Sequence, residues 1–162
     1  MPEVYYSTEG ILDIGDEWLS RLKGAALASP LRRSRLRLHK GNDDAVQEMI
    51  IALCRDVLFR PHRHVKKSES FHIIEGELAV IVFDESGTVL KSIHMGPPHT
   101  GRRFYYRLAE AVWHAILPLD EFVVFHETTD GPYDPNEPAQ FAPWAPAESE
   151  ALRHFLHKSA GF

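Results

Sequence analysis

Pro61-His62-Arg63-His64-Val65-Lys66-Lys67-Ser68-Glu69-Ser70-Phe71-His72-Ile73-Ile74-Glu75-Gly76 packs three metal-ligand side chains, His62, His64 and Glu69, into eight residues of strand and turn. Successive side chains on a strand point to opposite faces, so His62 and His64 share a face and can present two imidazoles to one ion. Pro61 has a fixed φ and no N–H to donate, which suits a strand start and biases Arg60 toward the β region. Glu69 opens the next apolar run after the polar turn Val65 to Ser68, and the expectation is that a neighbouring antiparallel strand carries it back beside the imidazoles. The competing reading is a surface strand with two exposed imidazoles and a solvated carboxylate.

A second segment bears on that choice. Trp113-His114 follows the turn-like Leu108-Ala109-Glu110-Ala111 and precedes the apolar run Ala115-Ile116-Leu117. With this the sequence resembles the cupin superfamily. The first cupin motif, two His, a Glu and a Gly, falls on His62, His64, Glu69 and Gly76, and the final His of the second motif falls on His114. The second motif departs from the usual pattern, with Ala109-Glu110-Ala111 in place of Pro-x-Gly and Pro118 in place of an Asn. A narrower resemblance, from about Ser29 onward, is to the WbuC family of cupin-fold metalloproteins. It rests on Pro61 to His64, Phe83-Asp84-x-x-Gly87, Trp113-His114, Gly131-Pro132-Tyr133 and Phe141-Ala142-Pro143-Trp144-Ala145-Pro146. The resemblance implies an all-β double-stranded β-helix, a jelly-roll barrel, with one divalent transition metal on His62, His64, Glu69 and His114. It also implies an association with bacterial surface-polysaccharide gene clusters, and a homodimer.

The 162 residues, 44% hydrophobic, suit one domain. The expected division is an N-terminal helical extension over 1–29, a barrel over 30–128, and a Pro-rich wrap with a C-terminal helix over 129–162. No apolar run approaches the ~18 residues of a membrane span, and the N-terminus lacks a signal-peptide layout. A cytosolic protein with no membrane partner is the expectation. The single Cys54 lies in an apolar run and reads as a small core residue. The net charge of −5 argues against a nucleic-acid partner.

Arg32, Arg33, Arg35, Arg37 and Lys40 are the local exception, and on a strand Arg33, Arg35 and Arg37 share one face. Two readings stand: a solvated edge that resists strand addition by like-charge repulsion, or an anion subsite for phosphate or carboxylate.

Along the chain, residues 11–28 read as a helix with Asp16 as N-cap and Trp18, Leu19, Leu22, Ala25 and Ala26 as its apolar face. Short strands are expected over Leu36 to His39, Val57 to Arg60, Ser70 to Ile74, Leu78 to Phe83, Val89 to His94, Phe104 to Arg107, Trp113 to Leu117 and Phe122 to Glu127. Val46 to Leu53 suits helix or strand, and the resemblance implies strand. Glu75-Gly76 and Asp84 to Gly87 read as hairpin turns. The Pro-rich stretch 128–138 reads as an ordered wrap whose aromatics, Tyr133, Phe141 and Trp144, cover the barrel mouth or a second subunit. Glu148 to His157 reads as a short helix with cationic side chains at its end.

The mixed imidazole and carboxylate set suits Fe, Mn, Ni, Co or Zn, and four protein ligands leave positions open on an octahedral ion. Glu127, Tyr105, Arg102 and His126 are the catalytic candidates, with His94 and His99 as further cavity residues; His72, three residues from Glu69, should face away from it. Three functions fit: a metal-dependent isomerase, epimerase or lyase on a sugar-like substrate, an Fe(II) dioxygenase, or a non-catalytic metal and small-molecule binding module.

Overall fold

A computed structural model describes residues 3–7 and 9–161. Among the described residues eleven strands and two helices run in the order β1 (Val4–Tyr6), α1 (Asp16–Ala28), β2 (Arg33–Arg37), β3 (Val46–Cys54), β4 (His62–Arg63), β5 (Glu69–Glu75), β6 (Leu78–Phe83), β7 (Val89–Met95), β8 (Tyr105–Leu108), β9 (Trp113–Pro118), β10 (Phe122–Asp130), β11 (Gln140–Phe141) and α2 (Ser149–Ala160). They form a six-stranded sheet ordered β1-β2-β3-β10-β5-β8 and a five-stranded sheet ordered β11-β4-β9-β6-β7. Consecutive strands alternate between the sheets from β3 to β6 and from β8 to β10, so the chain winds around one interior as an all-β double-sheet jelly roll.

Period-2 alternation sorts the side chains. Ile51, Leu53, Phe71, Ile73, Val123 and Phe125 of the first sheet meet Leu78, Val80, Met95 and Ile116 of the second inside the barrel. The outer face of the first sheet, Leu36, Ile50, Ala52, Cys54 and Val124, is covered by Leu22, Ala25 and Ala26 of α1. The outer face of the second, Ala79, Ile81, Phe83, Trp113, Ala115 and Leu117, is covered by Leu152 and Leu156 of α2 and by Ala142 and Ala145 of the wrap. Both sheets are thus buried on two faces, which is why β6 and the Ala115-Ile116-Leu117 stretch of β9 read as unbroken apolar runs. Cys54 is a buried free thiol in the outer layer of the first sheet, raised above its ordinary pKa chiefly by burial. No described helix is long and apolar enough to cross a membrane.

Several sequence expectations are corrected. Helix α1 begins at Asp16, with extended Gly15 as the N-cap, so Asp16 is the first helical residue; Ile11 before it is exposed. The strand expected over Leu36 to His39 is shifted to Arg33–Arg37. Val57 to Arg60 has no strand pairing; its apolar residues serve as packing in a connection, with Val57 buried. The ambiguous Val46 run is a strand, paired along its length with β10 and partly with β2. Asp84 to Gly87 is the β6–β7 hairpin turn, but Glu75-Gly76 is not a hairpin: β5 and β6 lie in different sheets. Gly76 makes that crossing at φ 78°, with the Phe122 carbonyl oxygen 2.1 Å from where a Cβ would sit.

Candidate metal centre

Strand β4 is two residues long and is held between β9 and β11, with His62 directly opposite His114 of β9 and opposite Phe141 of β11. Directly opposed residues share a face, and Ile116, two residues beyond His114, packs into the barrel. Both imidazoles therefore point inward. Arg63 takes the other face, with its guanidinium 4.2 Å from the Trp113 ring and in an ion pair with Glu85. His64 lies just past the strand, and its ring centroid is 5.2 Å from that of His62. The ligand nitrogens of His62, His64 and His114 all lie within 4.8 Å of one another.

Glu69 arrives by a route that strand pairing did not suggest. It belongs to β5 of the facing sheet and reaches the imidazoles across the barrel interior, not from a neighbouring strand. Its Oε1 is 3.0 Å from Nε2 of His114, and its Oε2 is 3.7 Å from Nε2 of His64.

The backbone sets the ring tautomers. Nδ1–H of His62 donates to the Arg60 carbonyl at 2.9 Å, and Nδ1–H of His114 donates to the Val112 carbonyl at 3.1 Å. A carbonyl can only accept, so each Nε2 keeps its lone pair for the interior. Burial, reinforced by His114, pushes His62 down to about 4, and burial also lowers His64, against the pull of Glu69. Both are neutral ligands at neutral pH. Burial would lower His114 as well, but the adjacent Glu69 carboxylate outweighs it and raises the imidazole. Burial would likewise raise Glu69, yet the His114, His64 and His62 imidazoles hold it below the usual carboxylate value.

The residues fit a cation. Nε2 of His114 and Oε1 of Glu69 are buried 3.0 Å apart and have no other hydrogen-bond partner among the described residues. In a dry interior such a pair needs positive charge between its members, which a proton on His114 or a metal ion supplies. Donors bound at about 2.1 Å on adjacent corners of an octahedral ion stand about 3 Å apart, the spacing found here.

The centre opens onto a cavity of about 560 Å³ whose lining includes His64, Glu69, Glu127, Arg35, Arg37 and Lys67. Of the catalytic candidates, only Glu127 is in this cavity. Burial first, and the Glu69 charge second, push its carboxyl up to about 7. Tyr105 and Arg102 line a different cavity, of about 610 Å³, together with His94, because Tyr105 stands on the outer parity of β8. Arg102 and His94 both approach Glu77, at 3.4 and 3.3 Å. His126 is on the outer parity of β10, 3.4 Å from Glu48, and His99 sits exposed in a loop at φ 74°. His72 is exposed beside Phe104, on the face away from Glu69 as expected.

Sequence reasoning missed Tyr106, His39 and Lys67. Tyr106 shares the inward parity of Phe71, its phenol is buried without a hydrogen-bond partner, and burial and then Glu69 raise its pKa. Alternation along Tyr105-Tyr106 marks one tyrosine as inward, but only the β5–β8 register says which. Of the wrap's three aromatics, only Tyr133 lines the mouth, with Pro138 and Ala139; Trp144 packs on the outer face of the second sheet against Phe83, Trp113 and Phe155, and Phe141 is exposed.

Residues 14–95, just over half of the chain, match the family model described as a domain of unknown function, DUF6016. The chain belongs to the DUF6016 family. The matched segment of this DUF6016 member carries His62, His64 and Glu69, while His114 lies beyond it. No curated protein matches the sequence. Among solved structures it is similar to an oxalate decarboxylase variant from Bacillus subtilis, at 19% identity over 60% of this chain and 24% of that one, with a TM-score of 0.48. Another structure of that enzyme, 18% identical over 60% of this chain and 24% of that one, TM-score 0.48, is described by its Mn(II) centres. The cupin domain of Schizosaccharomyces pombe Cnp3 is 12% identical over 61% of this chain and 64% of that one, again with a TM-score of 0.48. The chain spans about a quarter of the length of the oxalate decarboxylase chains it matches.

Proposed function

We propose that this protein is a mononuclear metal-dependent enzyme, its ion held by His62, His64, Glu69 and His114, acting on a small oxygen-rich substrate of the sugar or sugar-nucleotide kind. The observation that carries the reading is the convergence of the His62, His64 and His114 imidazoles with the buried Glu69 carboxylate, two of which, His64 and Glu69, line an open cavity. A bound divalent ion supplies Lewis acidity toward a substrate oxygen. The chain's own residues do the remaining work. Glu127, poised near neutrality, takes or returns a proton at a substrate carbon or hydroxyl, and Tyr133 with the Pro138 segment narrows access of water at the mouth. The WbuC-type resemblance supports a place in surface-polysaccharide metabolism.

The test is metal analysis of tag-free protein against a His62→Ala, His64→Ala double variant. Near-stoichiometric transition metal in the first and its loss in the second are expected; equal metal in both would overturn the reading. Turnover of nucleotide sugars then separates an enzyme from a binding module. Four donors leave room on an octahedral ion, which favours one second reading, an Fe(II) dioxygenase. Substrate-dependent oxygen uptake by the Fe(II)-loaded protein would select it.

A homodimer is also proposed. Exposed Val89, Leu90, Phe104 and Tyr105 along the outer strands β7 and β8 support it. A concentration-independent monomer in sedimentation would contradict it.

A further inference from the structure

The arginine-rich strand β2 is not the solvated edge that its sequence allowed. Strand β1 pairs with it in parallel, with Val4 opposite Arg35, so the edge is already covered. Alternation buries Ser34 and Leu36 on the outer side, and Leu36 packs under α1. The three arginines are thereby turned to the concave side of the sheet, in rows with Leu53, Ile51 and Met49 of β3. The row of Arg37 and Met49 continues through Glu127 on β10.

Two of the three, Arg35 and Arg37, line the cavity that holds His64 and Glu69. Arg37 is held in place, donating from Nε to His39 at 2.8 Å and from Nη2 to Asn42 at 2.6 Å. Arg35 has no carboxylate within ion-pair distance among the described residues; its Nη1 approaches the Met49 sulfur at 3.9 Å. Lys67 stands over the Tyr133 ring at 5.5 Å on the same cavity. Glu137 is paired with Lys66, so the carboxylates left to the three cations within the cavity lining are Glu69 and Glu127, and a divalent ion would add two further positive charges. A guanidinium in a concave site with no carboxylate at ion-pair distance keeps its planar fork of donors free for an anion.

We propose that Arg35, flanked by Arg37 and Lys67, is an anion subsite for the far end of a ligand whose near end sits at the His62, His64, Glu69 and His114 centre. The substrate class is then a small organic acid or phosphate ester with oxygen-rich groups at both ends. This rests on the metal-centre reading above. Strands β2 and β5 are three strand spacings apart, about 14 Å between backbones. The register sets Arg35 level with Ile73, four residues along β5 from Glu69, so the two ends are joined on a diagonal by the long arginine side chain and the cavity, whose volume is within the range that small-molecule sites occupy.

The experiment is calorimetric titration of Mn(II)-loaded protein with 3-phosphoglycerate, malate and lactate, which share a 2-hydroxy acid end and differ in carrying a phosphate, a carboxylate or nothing at the other. Phosphoglycerate or malate should bind at least about tenfold tighter than lactate, and which of them wins distinguishes phosphate from carboxylate. Arg35→Gln should erase the preference, and Arg35→Lys should keep part of it, while Mn(II) affinity in both stays within about twofold of wild type, which also reports that they fold. Equal binding of the three acids by wild type, or an intact preference in Arg35→Gln, overturns the subsite. If Mn(II) fails to bind, the metal-centre reading fails instead. Inorganic phosphate titrated into metal-free protein then decides the subsite alone: binding weakened about tenfold in Arg35→Gln supports it, and binding indifferent to the substitution, or none, overturns it.

Discussion

His62 stands directly across the β4–β9 ladder from His114, so one antiparallel pair joins the two histidine motifs that the sequence separates by fifty-two positions. Their ring centroids are 4.5 Å apart, and each ring is steered by the carbonyl two residues before it. The consequence is that the cluster is assembled by backbone pairing before any ion arrives.

Substituting any one of His62, His64 or His114 by Ala should lower affinity for a divalent transition metal by more than about a hundredfold, since loss of outer hydrogen-bond partners alone costs metal sites about 10–100-fold. Competition against a chromophoric chelator reads this directly. An affinity within a factor of about three of wild type would mean that the ion, if any, is held elsewhere.

Metal affinity should fall with acidity, and His114 should set where. Protons do not compete at His62 until about pH 4, whereas the Glu69 carboxylate raises His114. Below the raised value, each pH unit should cost about tenfold in affinity for a single competing proton. Glu69→Gln removes the cause of the rise, so beyond its general weakening it should move the onset of that fall to lower pH. The chelator assay run from pH 8 to 5.5 shows the onset.

Glu127 makes an opposite demand on stability. Its folded value of about 7 exceeds the ordinary 4.5, so the native chain keeps a proton that the unfolded chain releases between those values. Its stabilising contribution is full below pH 4.5 and is lost as pH rises to 7. The side chain retains some contact with water through the mouth, which places the effect near 2 kcal/mol, below the ~3 kcal/mol of a sealed site. Glu127→Gln should therefore be about 2 kcal/mol more stable than wild type at pH 8 and equal to it near pH 4.5, in urea unfolding of metal-free protein.

Much of this arrangement is legible in the sequence, and the rest is hidden for physical reasons. The spacing of His62, His64 and Glu69 marks a shared purpose, and apolar runs mark most strands. Pairing partners are not local, however. Glu75-Gly76 has the composition of a hairpin turn and makes a sheet crossing, because a φ of 78° at Gly76 serves either geometry. Tyr105 and Tyr106 differ only in parity, and the register with β5 assigns the inward place to Tyr106. Arg33, Arg35 and Arg37 share a face in the sequence pattern, but only the pairing of β1 against β2 turns that face from an edge into a wall.

Gly76→Ala should destabilise by more than about 3 kcal/mol, since a side chain there combines a left-handed backbone with a clash against the Phe122 carbonyl. Chemical denaturation of the variant would show a midpoint shift that Gly24→Ala, on an open helix surface, does not share.

Tyr106→Phe removes a buried hydroxyl that has no partner, and should raise stability by about 1 kcal/mol, whereas Tyr105→Phe should leave it unchanged. A loss in the first case would reveal a hidden partner for the phenol.

The strand that carries His62 is only two residues long and borrows one of its two neighbours, β11, from the Pro-rich wrap. Shortening the protein from its C-terminal side to just before Gln140 would free one edge of that strand and would also strip Ala142, Ala145, Leu152 and Leu156 from the outer face of the second sheet. The tail is thus a clasp that ties the grip on the first histidine to the packing of the sheet beneath it.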